Sequence, residues 1–292
     1  DFRHDKYNYE PKPGGLRLVQ DNNMWGYADD DGKIVIPGQF HIAYEFNSRD
    51  YAVVMKDGYY GIINKKGETI VPFEYHNMLY SGLYDDNYII VHKYQKRGVI
   101  NLKNEIVIPI KYDHIFQYGP NIFRVKVSKK YGLVNDKGET VVPIIYDSID
   151  RMGYNNGIYR LRIDNKYGLF NINGKDTGLI YDYIVRSSDN LIGLQLDDKW
   201  GFINQNFEEV IPAIYERAWD FEDNFALVKE DGEWYFLFYM SKEEKQDREK
   251  EMKEHGWLYK LTNKIFNSFN NYAKIPVKKQ ISNRSLLGEH MS

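Results

Sequence analysis

Residues 198–219 read DKWGFINQNFEEVIPAIYERAW, from Asp198 to Trp219, and most of the chain is this stretch rewritten. Its aromatic-Gly pair, Trp200-Gly201, recurs as Trp25-Gly26, Tyr60-Gly61, Tyr131-Gly132 and Tyr167-Gly168; Arg97-Gly98 replaces the ring and Trp234-Tyr235 replaces the glycine. Six residues before the ring stand Val19, Val54, Val91, Val125, Leu161, Leu194 and Val228, and three after it stand Ala28, Ile63, Ile100, Val134, Phe170, Ile203 and Leu237, all apolar. Four after come Asp29, Asn64, Asn101, Asn135, Asn171 and Asn204, with Phe238 in the last copy. Twelve after come Pro37, Pro72, Pro109, Pro143 and Pro212, and fifteen after come Phe40, Tyr75, Tyr112, Tyr146 and Tyr215; the fifth copy lacks the proline and reaches Tyr181 one residue early. Copies of 33 to 37 residues that agree at these offsets mark a repeat architecture, whose units are completed by their neighbours.

The second copy shows the local grammar: YAVVMK, Asp57-Gly58, YYGIIN, Lys65-Lys66-Gly67, ETIVP. Asp-Gly between alternating apolar runs signals a tight hairpin, because its two central positions need positive φ. A second turn recurs at Asp30-Asp31-Gly32, Asp136-Lys137-Gly138 and Ile172-Asn173-Gly174. Each copy is therefore expected to be a three-stranded antiparallel meander, with its proline at an end or edge of the third strand, where a missing N–H costs least. The shared apolar positions fall on both faces of the middle strand, so adjacent copies must cover them. The glycine after the ring leaves a gap over which the ring is expected to pack. Trp25, Tyr60, Tyr131, Tyr167 and Trp200, with Tyr75, Tyr112, Tyr146 and Tyr215, are assigned to the repeat core.

On this reading the chain has an extended lead-in over 1–15, a repeat array over 16–240, and a tail over 241–292. The copies run 16–50, 51–87, 88–121, 122–157, 158–190 and 191–224, and a partial seventh, 225–240, stops after two strands. The fifth copy, in GKDTGLIYDY, is expected to be locally irregular. The fold class is all-β, a tandem array favoured as an open superhelix over a closed propeller, because the lead-in offers no matching strand to close a ring. The tail opens on the charge-dense run SKEEKQDREKEMKEHG. It continues with Leu258, Leu261, Ile265, Phe269 and Tyr272 at helical spacing, widened by Trp257 and Phe266, which predicts an amphipathic helix. Packed on the last repeat, that helix would hide a sheet edge; its basic balance over 257–279 also suits a membrane surface.

Composition bounds the function. The 26 Tyr and 15 Phe suit strands, and the absence of cysteine excludes disulfides and thiolate chemistry. Residues 1–240 hold 28 Lys+Arg against 35 Asp+Glu, the wrong balance for a nucleic-acid partner. No apolar run is long enough to span a membrane. The chain opens on Asp1, so a soluble protein of the envelope or exterior is expected if a leader was removed, and a cytoplasmic one otherwise.

The segments KWGFIN, NKKGETIVP, NDKGETVVPIIYD and VIPAIYE resemble the WG repeat family, bacterial β-rich repeats whose motif is Trp-Gly, a polar-Gly turn, Val-Ile-Pro and Tyr-Asp. The resemblance covers roughly residues 16–240. It implies a β-repeat fold and a role in mediating interactions, and it does not extend to the tail.

No catalytic constellation stands out. The seven histidines show no metal-ligand spacing, no nucleotide-binding or nucleophile-elbow motif occurs, and no carboxylate pair is singled out, so neither a cofactor nor a metal is expected. His41, His76, Asp113, Asp147, Asp182 and Glu216 follow the shared Phe or Tyr of successive copies. They are read as turn caps, with a cation or basic peptide as the lesser alternative. Aromatics outside the shared offsets, Tyr80, Tyr84, Phe116, Tyr118, Tyr154, Trp219 and Phe221, fall in the connections between copies and are the candidate partner contacts. The leading expectation is a non-catalytic scaffold for another protein. The rival is a carbohydrate-binding or glycan-hydrolysing propeller-like protein, marked by converging carboxylates in a deep pocket.

Overall fold

The computed structural model describes residues 15–80, 88–152, 157–186, 191–219, 225–239 and 272–276. The chain divides into two units, Asp1–Ile145 and Tyr146–Ser292.

Every regular element among the described residues is a strand, and the strands form seven sheets in chain order. Sheet 1 holds β1 (Arg17–Asp21), β2 (Met24–Ala28) and β3 (Ile34–Phe40). Sheet 2 holds β4 (Ile42–Ala43), β5 (Tyr51–Lys56), β6 (Tyr59–Asn64) and β7 (Thr69–Tyr75). Sheet 3 holds β8 (Asn77–Tyr80), β9 (Ile89–Lys93), β10 (Lys96–Ile100) and β11 (Ile106–Tyr112). Sheet 4 holds β12 (His114–Gly119), β13 (Ile122–Val127), β14 (Lys130–Asn135) and β15 (Thr140–Tyr146). Sheet 5 holds β16 (Ser148–Arg151), β17 (Ile158–Ile163) and β18 (Lys166–Asn171). Sheet 6 holds β19 (Tyr183–Arg186), β20 (Leu191–Leu196), β21 (Lys199–Asn204) and β22 (Glu209–Tyr215). Sheet 7 holds β23 (Arg217–Ala218), β24 (Phe225–Glu230), β25 (Glu233–Tyr239) and β26 (Tyr272–Pro276).

The expected meander is present, with an addition. A short strand after each shared Phe or Tyr pairs with the first long strand of the following copy, as β12 does with β13, so most sheets have four strands. One residue separates the two runs, for example Asp113 between β11 and β12. These segments read as connections in the sequence because they are short and share no motif, yet their backbone groups find partners in the next sheet.

The glycine and proline signals have one cause. Along β6, Tyr60 faces Tyr75 and Ile62 faces Val71, so β7 carries two extra residues between these pairs and bulges outward. Pro72 sits in that bulge, inside an edge strand rather than at its end, where its missing N–H breaks no ladder bond. The bulged backbone fills the gap over the glycine: a Cβ on Gly61 would lie 2.8 Å from the Val71 carbonyl oxygen, and one on Gly98 would lie 2.6 Å from that of Ile108. Backbone, not the neighbouring ring, therefore occupies the space. Val54, Val91, Val125, Ile63, Ile100 and Val134 are buried as expected, and so are Tyr75, Tyr112, Tyr146 and Tyr215. The rings beside the glycine, Trp25, Tyr60, Tyr131, Tyr167 and Trp200, are half-buried, and Trp25, Tyr60, Tyr167 and Trp200 pack against the core clusters from their edge.

Alternate residues of one strand feed different cores. Ala52, Val54 and Ile63 pack with Tyr27, Ile36 and Phe40 of sheet 1. Their neighbours Val53, Ile62 and Val71 pack with Met78, Ile89, Val91 and Ile100 of sheet 3. Sheets 3 and 4 share Ile90, Val99, Ile108, Phe123, Val125 and Val134. In the second unit, sheet 5 shares a cluster with sheet 6 and sheet 6 shares one with sheet 7. Each such aliphatic side chain is worth about 1.5–3 kcal/mol when fully buried, and in these clusters that burial is completed by residues of a neighbouring sheet.

The fifth copy is irregular as expected. Its third strand is reduced to two isolated bridges, Tyr167 with Tyr181 and Phe170 with Asp176. The tail differs from expectation where it is described: Tyr272–Pro276 is a strand paired with β25, so Tyr272 belongs to a sheet and not to a helix. The edge of β25 is thus covered by β26. The remainder of the expected helix and the lead-in over 1–14 lie outside the described residues.

Candidate functional site

Most of the shared polar positions are spent on holding turns. Asn135 is representative: its Oδ1 accepts from the N–H groups of Lys137 (3.0 Å) and Glu139 (2.9 Å), and its Nδ2 donates to Glu139 Oε2 (2.7 Å). Asn64, Asn101 and Asn204 repeat this with Glu68, Glu105 and Glu208. Asp29 accepts the same backbone bonds but cannot donate, and its partner position holds Lys33. The second-turn glycines have positive φ, and where Asn104 replaces one (φ 61°) its side chain accepts from the Tyr75 hydroxyl (2.7 Å) and so joins two copies.

The corner residues between sheets also serve the scaffold. The N–H of Asp113 donates to the Lys126 carbonyl (2.9 Å), and its carboxylate accepts from the Ser128 N–H (2.5 Å) in the next hairpin turn and from Lys96 (2.5 Å). The lysine holds its carboxyl below the ordinary range, and the Ser128 bond adds to this. Asp147 reaches the Asp164 N–H, Asp182 reaches the Asp197 N–H and Lys166, and Glu216 reaches the Gly232 N–H. The turn-cap reading of these residues is therefore the geometry found. At the second corner His76 lies between the rings of Tyr59 and Tyr94, at 5.4 and 5.6 Å. Among the described residues no group of three or more His, Asp or Glu is placed to hold a metal ion.

What remains for binding lies where copies differ. Phe116 and Trp219 are exposed, the first on β12 and the second just after β23. Tyr118 is half-buried on β12, and Tyr80 ends β8. Tyr84, Tyr154 and Phe221 lie outside the described residues. Phe116 and Tyr118 are brought together, edge to face at 6.4 Å, and Phe116 borders a cleft of about 370 Å³ in the first unit.

The cleft is built by strand alternation. In β12, His114 and Phe116 point to one face, and their cross-strand partners on β13 are Lys126 and Arg124. Lys126 in turn faces Tyr131 on β14. Arg97, from β10 of sheet 3, completes the wall, and Ile115 and Val125 form the floor. The Arg124 guanidinium lies 4.5 Å from the Tyr118 ring centre and 5.2 Å from that of Tyr131, and its Nη1 donates to the Tyr118 hydroxyl (3.2 Å). Lys126 Nζ lies 5.1 Å from the Tyr131 ring. Both cations lie over ring faces, which attract positive charge. Among the described residues Arg97 and Lys126 make no ion pair and no carboxylate lines the cleft.

Two imidazoles record this field. Burial pushes His92, the cross-strand neighbour of Arg97, down to about 4, and Arg97 and His114 add to the effect. Burial, then Arg97 and Lys126, lower His114, against a smaller opposite pull from Asp113. His92 Nε2 is buried with no hydrogen-bond partner among the described residues.

Sequence reasoning noted Arg97 as a departure from the motif and assigned Tyr131 to the core; it passed over His114, Arg124 and Lys126. A signal was present. Seven and five residues before the ring, only the fourth and fifth copies place a cation at both positions: Arg124 and Lys126, then Arg160 and Arg162.

Five segments, 25–60, 60–96, 98–131, 131–167 and 200–234, match the family model described as WG containing repeat. No match to a curated protein reaches significance. Similar solved structures include a dihydro-heme d1 dehydrogenase, NirN, in complex with DHE (11% identity, TM-score 0.32), where the match covers 81% of this chain and 63% of that one. A eukaryotic initiation factor matches at 10% identity and TM-score 0.37, over 78% of this chain and 82% of that one. Hsv2 of Kluyveromyces lactis matches at 9% identity and TM-score 0.32, over 80% and 92%.

Proposed function

The chain belongs to the WG containing repeat family, and on that premise we propose that it is a non-catalytic scaffold that binds another protein. One observation carries this reading. The residues shared from copy to copy are consumed in cores, bulges and turn locks, whereas the exposed aromatics and the cationic cleft occur where copies depart from one another. A surface made of departures from a stable plan is free to vary without loss of fold, as binding loops on rigid frameworks are. Exposed aromatics and arginine are also the residue types that anchor protein interfaces. The open array is kept as part of the proposal, because a strand of the tail completes sheet 7 and leaves the amino-terminal stretch no required place there.

The test is photo-crosslinking of the full chain in its native extract, with the reactive group at position 116 or 219 and a control at the exposed turn residue Lys137. The expected result is a discrete protein adduct from 116 or 219 that the control does not give. Adducts equal at all three positions, or a turnover on glycan substrates lost on changing one carboxylate, would overturn the scaffold reading.

A further inference from the structure

We propose that Tyr59, His76 and Tyr94, at the corner between sheets 2 and 3, receive a basic side chain of a partner protein, an arginine or a lysine held against their ring faces. This rests on the scaffold reading and gives that scaffold a ligand class.

A coordinated departure from the repeat plan is the first reason. At later corners a carboxylate accepts from the first-turn N–H of the following copy, as Asp113 does from Ser128, Asp147 from Asp164 and Asp182 from Asp197. Asp113 and Asp182 also bind the lysine that precedes the shared aromatic position, Lys96 and Lys166. At the second corner all three places change together: His76 stands where the carboxylate was, Tyr94 where Ser128 was, and Tyr59 where Lys96 was. Three rings replace an ionic lock, with His76 5.4 Å from Tyr59 and 5.6 Å from Tyr94.

The second reason is the backbone at Tyr94. Its φ of 50° lies in the left-handed region, where the other copies place Asn22, Asp57, Ser128, Asp164, Asp197 and Asp231. Short polar residues tolerate that conformation far better than a ring-bearing one does. Tyr94 is also 78% exposed, so little burial offsets the strain. Strain kept without a packing return points to a functional position.

Geometry and charge select the ligand. The imidazole is inclined at 64° to Tyr59 and 58° to Tyr94, so the rings share no plane on which a sugar or a base could lie. They offer faces at several angles to one compact or planar cation. Elsewhere the chain supplies such a cation itself, as Lys93 does 5.6 Å from Tyr75 and Arg160 does 5.5 Å from Tyr167. Among the described residues no Lys or Arg lies over Tyr59 or Tyr94. The lysines of the same hairpin are neutralised, Lys93 by Glu74 and Lys96 by Asp113, so they offer little repulsion. Asp57 adds a negative charge to the turn before Tyr59, and the first 240 residues are net negative, which draws a basic partner.

Fluorescence anisotropy tests this with the full-length chain and a labelled octapeptide of alternating Arg and Ser. Saturable binding is expected, weakened about tenfold by Tyr59→Leu or Tyr94→Leu, which remove a ring face, and retained in Tyr94→Phe, which keeps it. Replacing every Arg of the peptide by citrulline, its uncharged isostere, should abolish binding, and Tyr44→Leu, at an exposed tyrosine elsewhere in the first unit, should leave it unchanged. Tyr94→Asn should weaken binding as much as Tyr94→Leu while leaving the thermal melt unchanged or raising it, because Asn suits the left-handed turn. No saturable binding, equal affinity for the citrulline peptide, or binding indifferent to both Leu variants would overturn the proposal. So would displacement of the arginine peptide by a neutral oligosaccharide or a proline-rich octapeptide at equal concentration. Each of those results leaves the crosslinking test at positions 116 and 219 standing by itself.

Discussion

At the same step of the repeat, sheet 4 carries Arg124 and sheet 5 carries Arg160. Arg160 is engaged within its own unit: Asp150 accepts from Nη2 (3.1 Å), the Ile184 carbonyl accepts from Nη1 (2.7 Å), and Tyr167 lies under the guanidinium at 5.5 Å, while its Nε is buried without a partner. Arg124 is flanked by Tyr118 and Tyr131 and faces Phe116, beside the uncompensated Arg97 and Lys126. One residue type at one position thus faces a carboxylate across the strands in the first case and a ring in the second. The difference lies in a cross-strand partner, Asp or Phe, and in nothing the repeat period controls.

If the two sheets differ only on that outer face, their cores should respond alike. Phe123→Ala in sheet 4 and Tyr159→Ala in sheet 5, both wholly buried, should each cost about 3–5 kcal/mol in urea denaturation. A cost for Tyr159→Ala several kcal/mol smaller would mean that the missing third strand of sheet 5 loosens its core, and that the sheets differ in more than their surfaces.

The core positions were legible in the sequence because burial imposes a period of two on each strand and stacking repeats it in every copy. Val125, Val134 and Tyr146 could be placed before any coordinates. Pro72 was read correctly as an edge residue and wrongly as a strand end, since a bulge keeps a strand going past a residue that cannot donate. β12 was invisible for a different reason: a first strand that varies in sequence and length has no offset to share, so Phe116 and Tyr118 read as connection. The cleft was illegible because it joins Arg97 of one sheet to Lys126 of the next. Spatial neighbours from adjacent copies leave no mark within either copy, although the doubled cations at Arg124–Lys126 were a usable hint. Tyr272 fits a helical stripe yet lies in a strand, where it pairs with the edge of β25.

The position of Lys126 and Arg162 is occupied in sheet 3 by His92, and this gives the cationic field a pH signature. Burial above all, with Arg97 and His114, holds the folded-state value near 4, against 6.5 ordinarily. The unfolded chain therefore takes up a proton first as pH falls, and stability present above pH 6.5 is lost progressively down to about pH 4. Allowing for the part of the ring that solvent reaches, the loss should be about 1–2 kcal/mol. Denaturation midpoints measured from pH 7 to pH 4 should show this slope in the wild type and a shallower one in His92→Gln. Arg97→Met should also flatten it, which would tie the imidazole to the cleft.

Exchanging the partners tests the comparison directly. Asp150→Ala should destabilise the chain by about 1 kcal/mol, since Arg160 keeps its carbonyl and ring contacts and loses a partly exposed pair. Phe116→Asp should change stability by less than about 0.5 kcal/mol, because an exposed ring is lost and an exposed pair gained. If Asp150→Ala proved neutral, the carboxylate of sheet 5 would not be what employs Arg160, and the contrast with sheet 4 would lose its basis.

The smallest effect concerns the turn lock that sheets 4 and 5 share but charge differently. Asn135 donates to Glu139 at 2.7 Å, whereas Asn171 has Lys175 at the equivalent position, whose N–H it accepts at 2.9 Å. Changing either Asn to Asp preserves the oxygen that receives the backbone N–H groups and removes the amide donor. In sheet 4 that sets two carboxylates side by side where a hydrogen bond had been, and Asn135→Asp should cost about 0.5–1 kcal/mol at pH 7. In sheet 5 the new charge meets a lysine, so Asn171→Asp should be neutral or stabilising by about 0.3 kcal/mol. The first sheet already shows the second solution, with Asp29 opposite Lys33. High salt should shrink the difference between the two variants, because both sites are exposed. Equal costs for both in thermal melts at low salt would show that the lock depends on the amide donor alone and that the residue four positions on is immaterial.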